Sequence, residues 1–231
     1  QRIFSYAKKL DGEDVKCGDM TLPDGQVIFS AKEIQEIFAK LPTAMKQKDK
    51  FLEIKNALIK RLNRLIKTTA RSRKMRAAID LLSDEEYNDL IGKKRRNHFQ
   101  SLDQEVFYIG EKIAERKFAQ IYDGLYNGFF FDVYAQYQDF LTRTLPDSSH
   151  EFSENVEFHR ISLSDCAPVL YLRDLLTGGG KNRSIEHLFI DEMQDYSMAT
   201  MIYLKHAFPN AKLTLLGDSE QALFNPLEEP K

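Results

Sequence analysis

At 231 residues, 42% hydrophobic and 29% charged, the chain is long enough for one large or two small cored domains. A net charge of −2 gives it no overall basic or acidic character, and no apolar run reaches the ~18–20 residues of a membrane span. The N-terminus lacks a secretory signal pattern, and Cys17 and Cys166 have no metal-ligand spacing, so free thiols in a reducing cytoplasm are expected.

Residues 1–29 read as loop-rich with short strands at most: Asp11-Gly12 and Asp24-Gly25 are turn signals around the apolar run Gln26 to Phe29. Ser30 and Glu33 then have the spacing of a capping box, and the helix that follows places Ile34, Ile37, Phe38 and Leu41 on one face before Pro42 ends it. A long helix is predicted over about 48–82, because Phe51, Ile54, Leu58, Leu62, Leu65 and Ile66 form one apolar stripe. Ser83 with Glu86 predicts a short helix ending near Gly92, and Ser101 with Gln104 a longer one through Leu125. An aromatic-rich helix is expected over about 129–141, broken at Leu145-Pro146-Asp147 by a polar turn over 146–155.

Beyond that turn the pattern changes. A helix is predicted from Ala167 to Leu176 with Pro168 in its first turn, and then a glycine loop from Thr177 to Gly180. The apolar run His187 to Ile190 ends in acid, a helix spans about 198–207, and Lys212 to Leu216 reads as a second buried strand. Strand, acidic loop, helix and strand make one βαβ unit of a parallel sheet. The expected organisation is therefore an irregular segment over 1–29, a helical insertion over 30–160 and an α/β segment over 161–231.

Ligands of open parallel sheets bind at the carboxyl ends of the strands. Asp191 and Glu192 fall at the end of the first strand, and Gly217, Asp218 and Gln221 at the end of the second. Neighbouring acids there suit a Mg²⁺–nucleotide site: one carboxylate holds the metal, directly or through water, and the other orients or deprotonates the attacking water. The amide of Gln221 is placed to sense the terminal phosphate.

The middle of the chain carries concentrated positive charge. Between Lys46 and Arg76 there are twelve lysines and arginines, Arg61, Arg64, Arg71, Arg73 and Lys74 among them, opposed only by Asp49 and Glu53. Lys93, Lys94, Arg95 and Arg96 form a second cluster. A solvated helix face is the bland explanation; the size of the imbalance favours a surface for nucleic acid or for an acidic protein channel. Tyr122, Tyr126, Phe129, Phe130, Phe131, Tyr134, Tyr137 and Phe140 could stack bases, although their helical spacing favours core positions.

The run Asp191-Glu192-Met193-Gln194-Asp195 and the run Gly217-Asp218-Ser219-Glu220-Gln221 resemble the D-E-x-Q-D and G-D-x-x-Q motifs of superfamily 1 helicases of the UvrD/Rep kind. Through Phe189 to Ser197, Tyr203-Leu204-Lys205 and Phe208 to Lys212, the resemblance narrows to the HelD-like, helicase-IV-like ATPases that associate with RNA polymerase. It is close over about 168–224, roughly a quarter of the chain, and departs at Met193, where the family has a small residue.

The resemblance implies a partial P-loop NTPase (RecA-like) parallel sheet carrying a large, mainly helical insertion, with ATP and Mg²⁺ as ligands and DNA, and in some members RNA polymerase, as partners. It makes Asp191 the Mg²⁺-associated acid and Glu192 the catalytic base. Gln194 and Asp195 would couple the site to neighbouring motifs, Gln221 would contact the γ-phosphate and Asp218 would position that loop. Residues 30–160 would be the insertion that reaches into the DNA channel of the polymerase.

The sequence holds no G-x-x-x-x-G-K-[ST] phosphate loop. Its one approximation, ending in Gly180-Lys181-Asn182, has Leu175 for the first glycine and Asn182 for the hydroxyl, and it precedes a strand. With no arginine finger or second motor lobe in view either, and with Gln1 at its start, the chain is expected to be an internal slice of a larger motor that binds ATP weakly or not at all alone. Two readings stay open, a DNA helicase or translocase and a polymerase-binding recycling factor that does not unwind DNA; a P-loop enzyme unrelated to nucleic acids is a weaker third, which the Gly-Asp-x-x-Gln motif argues against.

Overall fold

A computed structural model of the chain describes residues 1–10, 12–92 and 99–218. Its elements in chain order begin with helix α1 (Arg2–Lys9), strands β1 (Met20–Thr21) and β2 (Val27–Phe29), and helices α2 (Ala31–Ala39), α3 (Gln47–Ala70), α4 (Arg73–Asp80), α5 (Asp84–Ile91) and α6 (Leu102–Tyr126). Helices α7 (Val133–Thr144), α8 (Pro146–Glu157) and α9 (Leu163–Thr177) follow, then β3 (His187–Ile190), α10 (Met198–Ala207) and β4 (Lys212–Leu215). The chain is thus mainly helical, with two two-stranded sheets among the described residues. No described helix is long and apolar enough to cross a membrane.

Two compact units divide the chain: Gln1–Lys16, Ala39–Phe51 and Asp132–Lys231 form one, and Cys17–Phe38 with Leu52–Phe131 the other. The helical stretch 30–160 is therefore shared between them.

In the second unit, β1 and β2 pair antiparallel around the Asp24-Gly25 turn, where Gly25 has φ +83°. Ser30 opens α2 by accepting the Glu33 amide at 3.2 Å. The stripe expected on α3 is its buried face: Ile54, Leu58, Leu62 and Ile66. The predicted single helix over 48–82 is two, because Ser72 adopts an extended backbone (φ −69°, ψ 151°) and its hydroxyl accepts the Met75 amide. An N-cap can start a new helix inside a continuous apolar period, since Met75 and Ile79 extend the buried stripe across the break. Ser83 with Glu86 forms the full capping box of α5, and Ser101 caps α6 through the Gln104 amide. Gly110 lets α6 approach the end of α3: a Cβ there would lie 2.8 Å from the Ala70 carbonyl oxygen.

The first unit departs from expectation in several places. Residues 2–9 form a helix instead of a loop, held by Tyr6, whose hydroxyl donates to Asp139 Oδ2 at 2.6 Å. The polar stretch 146–155 lies in helix α8, with Pro146 at its start, where a missing N–H costs nothing. Phe152 anchors that helix against the ring of Tyr137 at 4.9 Å. The aromatic helix begins at Val133, capped by Asp132, not at Phe129. Helix α9 begins four residues earlier than expected and places Pro168 in its second turn.

The βαβ connectivity holds, since β3 and β4 pair parallel in the register His187–Lys212 to Ile190–Leu215 with α10 between them, but β4 is not the buried strand expected: Lys212, Thr214 and Leu215 are exposed, and on β3 only Ile190 is buried. Helix α10 packs on α9, and α9 on α1 and α7.

Candidate functional site

Because β3 and β4 end at the same level, the residues after Ile190 and Leu215 emerge side by side. Leu216 N–H donates to the Ile190 carbonyl at 2.8 Å, and Met193 N–H donates back to the Leu216 carbonyl at 2.9 Å. The chain turns sharply between these bonds. Glu192 takes the left-handed conformation (φ 50°, ψ 46°), and Met193–Asp195 forms a single 3₁₀ turn. A non-glycine residue rarely occupies that region, and the strain it stores is on the order of 1–3 kcal/mol, a feature that clusters at functional sites.

Gln194 joins the two acidic loops. Its Nε2 donates to Glu192 Oε2 at 2.5 Å, and its Oε1 accepts the Asp218 N–H at 3.1 Å. The partners fix the amide orientation, since a carboxylate can only accept and an N–H can only donate. Gly217 permits the contact: a Cβ there would lie 2.9 Å from the Met193 nitrogen and collide with the Gln194 carbonyl oxygen. Asp191 is exposed, and its Oδ1 accepts the Glu192 N–H at 3.0 Å. Asp195 Oδ1 is buried with no hydrogen-bond partner among the described residues. An uncompensated buried carboxylate oxygen is costly and marks a place where a donor belongs.

Five of the six nucleotide-site residues expected from sequence, Asp191, Glu192, Gln194, Asp195 and Asp218, thus lie on two adjoining loops; Gln221 lies outside the described residues. No group of three or more metal-ligating side chains occurs among the described residues.

The glycine loop after α9 is a helix C-cap and an exposed surface turn. Gly178 is a left-handed C-cap (φ 76°) whose N–H returns to the Asp174 carbonyl at 2.9 Å, and a Cβ on Gly180 would overlap the Asp174 carboxylate. Asp174 is itself a buried acid that the motif pattern does not single out. Arg173 holds its Oδ1 at 3.1 Å, and Tyr203 and His206 of α10 face it electrostatically. Its signal in the sequence is the charged pair Arg173-Asp174 set among Leu170, Leu172, Leu175 and Leu176.

On the basic stretch, Lys60, Arg61, Arg64, Lys67, Arg71, Arg73, Lys74 and Arg76 lie opposite the buried stripe of α3 and α4, on the side that faces solvent. Arg61 is paired with Glu33, and Arg76 with Asp103. Arg71 lies over the ring of Phe107 with its guanidinium carbon 4.8 Å from the centroid. Lys93, Lys94, Arg95 and Arg96 lie outside the described residues. The aromatic cluster divides: Phe130, Phe131, Tyr137 and Phe140 are core, whereas Tyr122, Tyr126, Phe129 and Tyr134 are exposed.

No protein-family model matches the chain. No curated protein matches it either.

Proposed function

We propose that the chain carries the acid-pair portion of a partial P-loop, RecA-like sheet with a large helical insertion, within an ATP-hydrolysing, helicase-like motor acting on DNA. The observation that carries this reading is the meeting of Asp191–Asp195 with Gly217–Asp218 at adjacent carboxyl ends of parallel strands, joined through Gln194. Motors of this class need such a junction, because loss of the terminal phosphate at one loop must be felt at the next.

In this reading Glu192 accepts the proton of the water that attacks the terminal phosphate, and Gln194 holds its carboxylate in place. Asp191, exposed and with acceptor capacity left after its bond to the Glu192 amide, fits a Mg²⁺ ion that keeps most of its own water. Mg²⁺, when bound, would neutralise phosphate charge. Asp218 positions the second loop, and Gln221 contacts the γ-phosphate. The unpartnered oxygen of Asp195 fits a donor supplied by a neighbouring motif. The phosphate loop itself is not encoded in these 231 residues, so a working site draws it from further polypeptide. The exposed basic face of α3 and α4 supports nucleic-acid contact.

The test is ATP turnover in a polypeptide that unites these strands with a phosphate loop. Glu192→Gln is expected to lower turnover by about 100-fold or more while nucleotide binding is retained. Near-normal turnover would remove Glu192 from its role. Capture of core RNA polymerase by the chain, competed by DNA, would shift the reading to a polymerase-recycling factor.

A further inference from the structure

We propose that the groove where the α3–α4 turn meets the first turns of α6 seats a phosphodiester of single-stranded nucleic acid, with an adjoining base stacked on the Arg71–Phe107 pair. This rests on the part of the functional reading that assigns the basic helices to nucleic acid, and it names the site and the strand state.

The groove encloses about 420 Å³ and is lined by Arg71, Ser72, Arg73, Arg76, Val106 and Phe107, among others. Three arginines, Arg71, Arg73 and Arg76, line it, and the one acid in the lining, Asp103, is paired with Arg76. Guanidinium is the side-chain group best shaped to grip a phosphate through two parallel donors. The start of α4 adds to the positive field. Ser72 takes the Met75 amide with its hydroxyl and the Arg76 amide with its carbonyl, and the Arg73 and Lys74 amides have no intrahelical acceptor.

Charge also confines the site. Farther along α3 and α6 a second groove of about 500 Å³ is lined by Glu111, Glu115 and Asp123 beside Lys67, and its carboxylates repel phosphate. The anion therefore settles at the Arg71–Arg76 end.

The strand state follows from Arg71 and Phe107. The Arg71 guanidinium lies 4.8 Å from the centroid of the Phe107 ring, and Val106 lines the same groove, so a planar cation and apolar side chains are together where a base could stack. Bases can use such a platform only when they are unpaired, as duplex bases are stacked on each other.

The experiment is fluorescence anisotropy of labelled dT12 titrated with the full 231-residue chain over a salt series, with duplex DNA as competitor. Arg71→Ala and Arg73→Ala are each expected to weaken binding by about tenfold and to make the log–log salt slope shallower by about 0.7 for each phosphate no longer neutralised. Arg71→Lys keeps the charge and removes the planar guanidinium, so it restores the slope but not the affinity. Lys32→Ala on α2 and Lys117→Ala on α6, both exposed and outside the groove, should change affinity less than about twofold. Thermal melts of each variant establish that it is folded. Absence of dT12 binding by the wild-type chain, equal weakening in groove and control variants, or equally effective competition by duplex would each overturn the proposal. ATP turnover plays no part in this experiment, so its failure leaves the roles of Asp191 and Glu192 untouched, and their failure leaves the groove untouched.

Discussion

At Gly217 the two acidic loops pack with no room for a side chain, and the reason is steric. Any β-carbon there would press on the Met193 nitrogen at 2.9 Å and displace the Gln194 amide. Gly217→Ala should therefore break the bond from the Asp218 N–H to Gln194, at a stability cost of about 1–2 kcal/mol. Faster hydrogen exchange at the Asp218 and Met193 amides is the expected signature; unchanged protection would mean that the loops are held together by something other than Gln194. His206 on α10 gives a second measurable consequence. Burial, assisted by Lys181 and opposed by Asp174, lowers its pKa below the ordinary 6.5, and its ring packs edge-on to Tyr171 at 4.9 Å. A depressed histidine is protonated preferentially in the unfolded chain. The stability it contributes is complete above about pH 6.5 and is lost as the pH falls toward its folded pKa. The melting temperature should fall as the pH drops from about 7 to about 5.5, and that of His206→Gln should fall less steeply. Parallel curves would exclude His206 as the source.

Helices opened by a Ser-x-x-Glu or Ser-x-x-Gln signal between turns could be read from sequence, whereas α4, whose Ser72 cap lies inside a continuous apolar stripe, and helices made by tertiary contact could not. Ser83 with Glu86 and Ser101 with Gln104 announce α5 and α6 because their side chains satisfy backbone amides within one turn. The acid cluster at the end of β3 was equally readable, since an apolar run ending in Asp-Glu places both carboxylates at a strand terminus. By contrast α1 is only eight residues long, too short to persist alone, and the sequence near it offers turn residues instead. What fixes it is far away in the sequence. Gln136, fully buried on α7, donates to the Tyr6 hydroxyl at 2.6 Å and accepts the Lys16 N–H at 2.8 Å. Arg143 adds a bridge to Asp14 at 3.0 Å and to Asp139 at 2.9 Å. Helix α8 was hidden for a similar reason: Pro146, Asp147 and two serines read as a turn until Phe152 is seen packed on Tyr137. Gln136→Leu keeps the volume but leaves the Lys16 amide and the Tyr6 hydroxyl without this partner, at an expected cost of about 2–4 kcal/mol. Limited proteolysis should then cut within residues 1–16 of the otherwise folded chain. Resistance equal to wild type would show that this buried network does not hold the N-terminal segment.

The two parallel strands pose a problem of exposure that concerns the molecule as a whole. Parallel sheets are found with both faces covered, yet Phe189 on β3 is 69% exposed and Leu215 on β4 is 40% exposed. Leu216 beyond the sheet, and Met198 and Ile202 on the crossover helix, add apolar surface in the same unit. With only two strands paired among the described residues, β3 and β4 each have an edge whose backbone groups are open to another strand. Apolar surface of this kind is a self-association hazard when left bare. The 231-residue chain should therefore bind a hydrophobic dye and sediment partly as dimers or larger species at tens of micromolar. Phe189→Thr combined with Ile202→Gln removes two large exposed side chains at positions where neither is core. That double variant should keep its helical circular dichroism, lose most of the dye signal and sediment as a monomer. A wild-type chain that is monomeric and dye-free at the same concentration would show that these side chains are covered in solution.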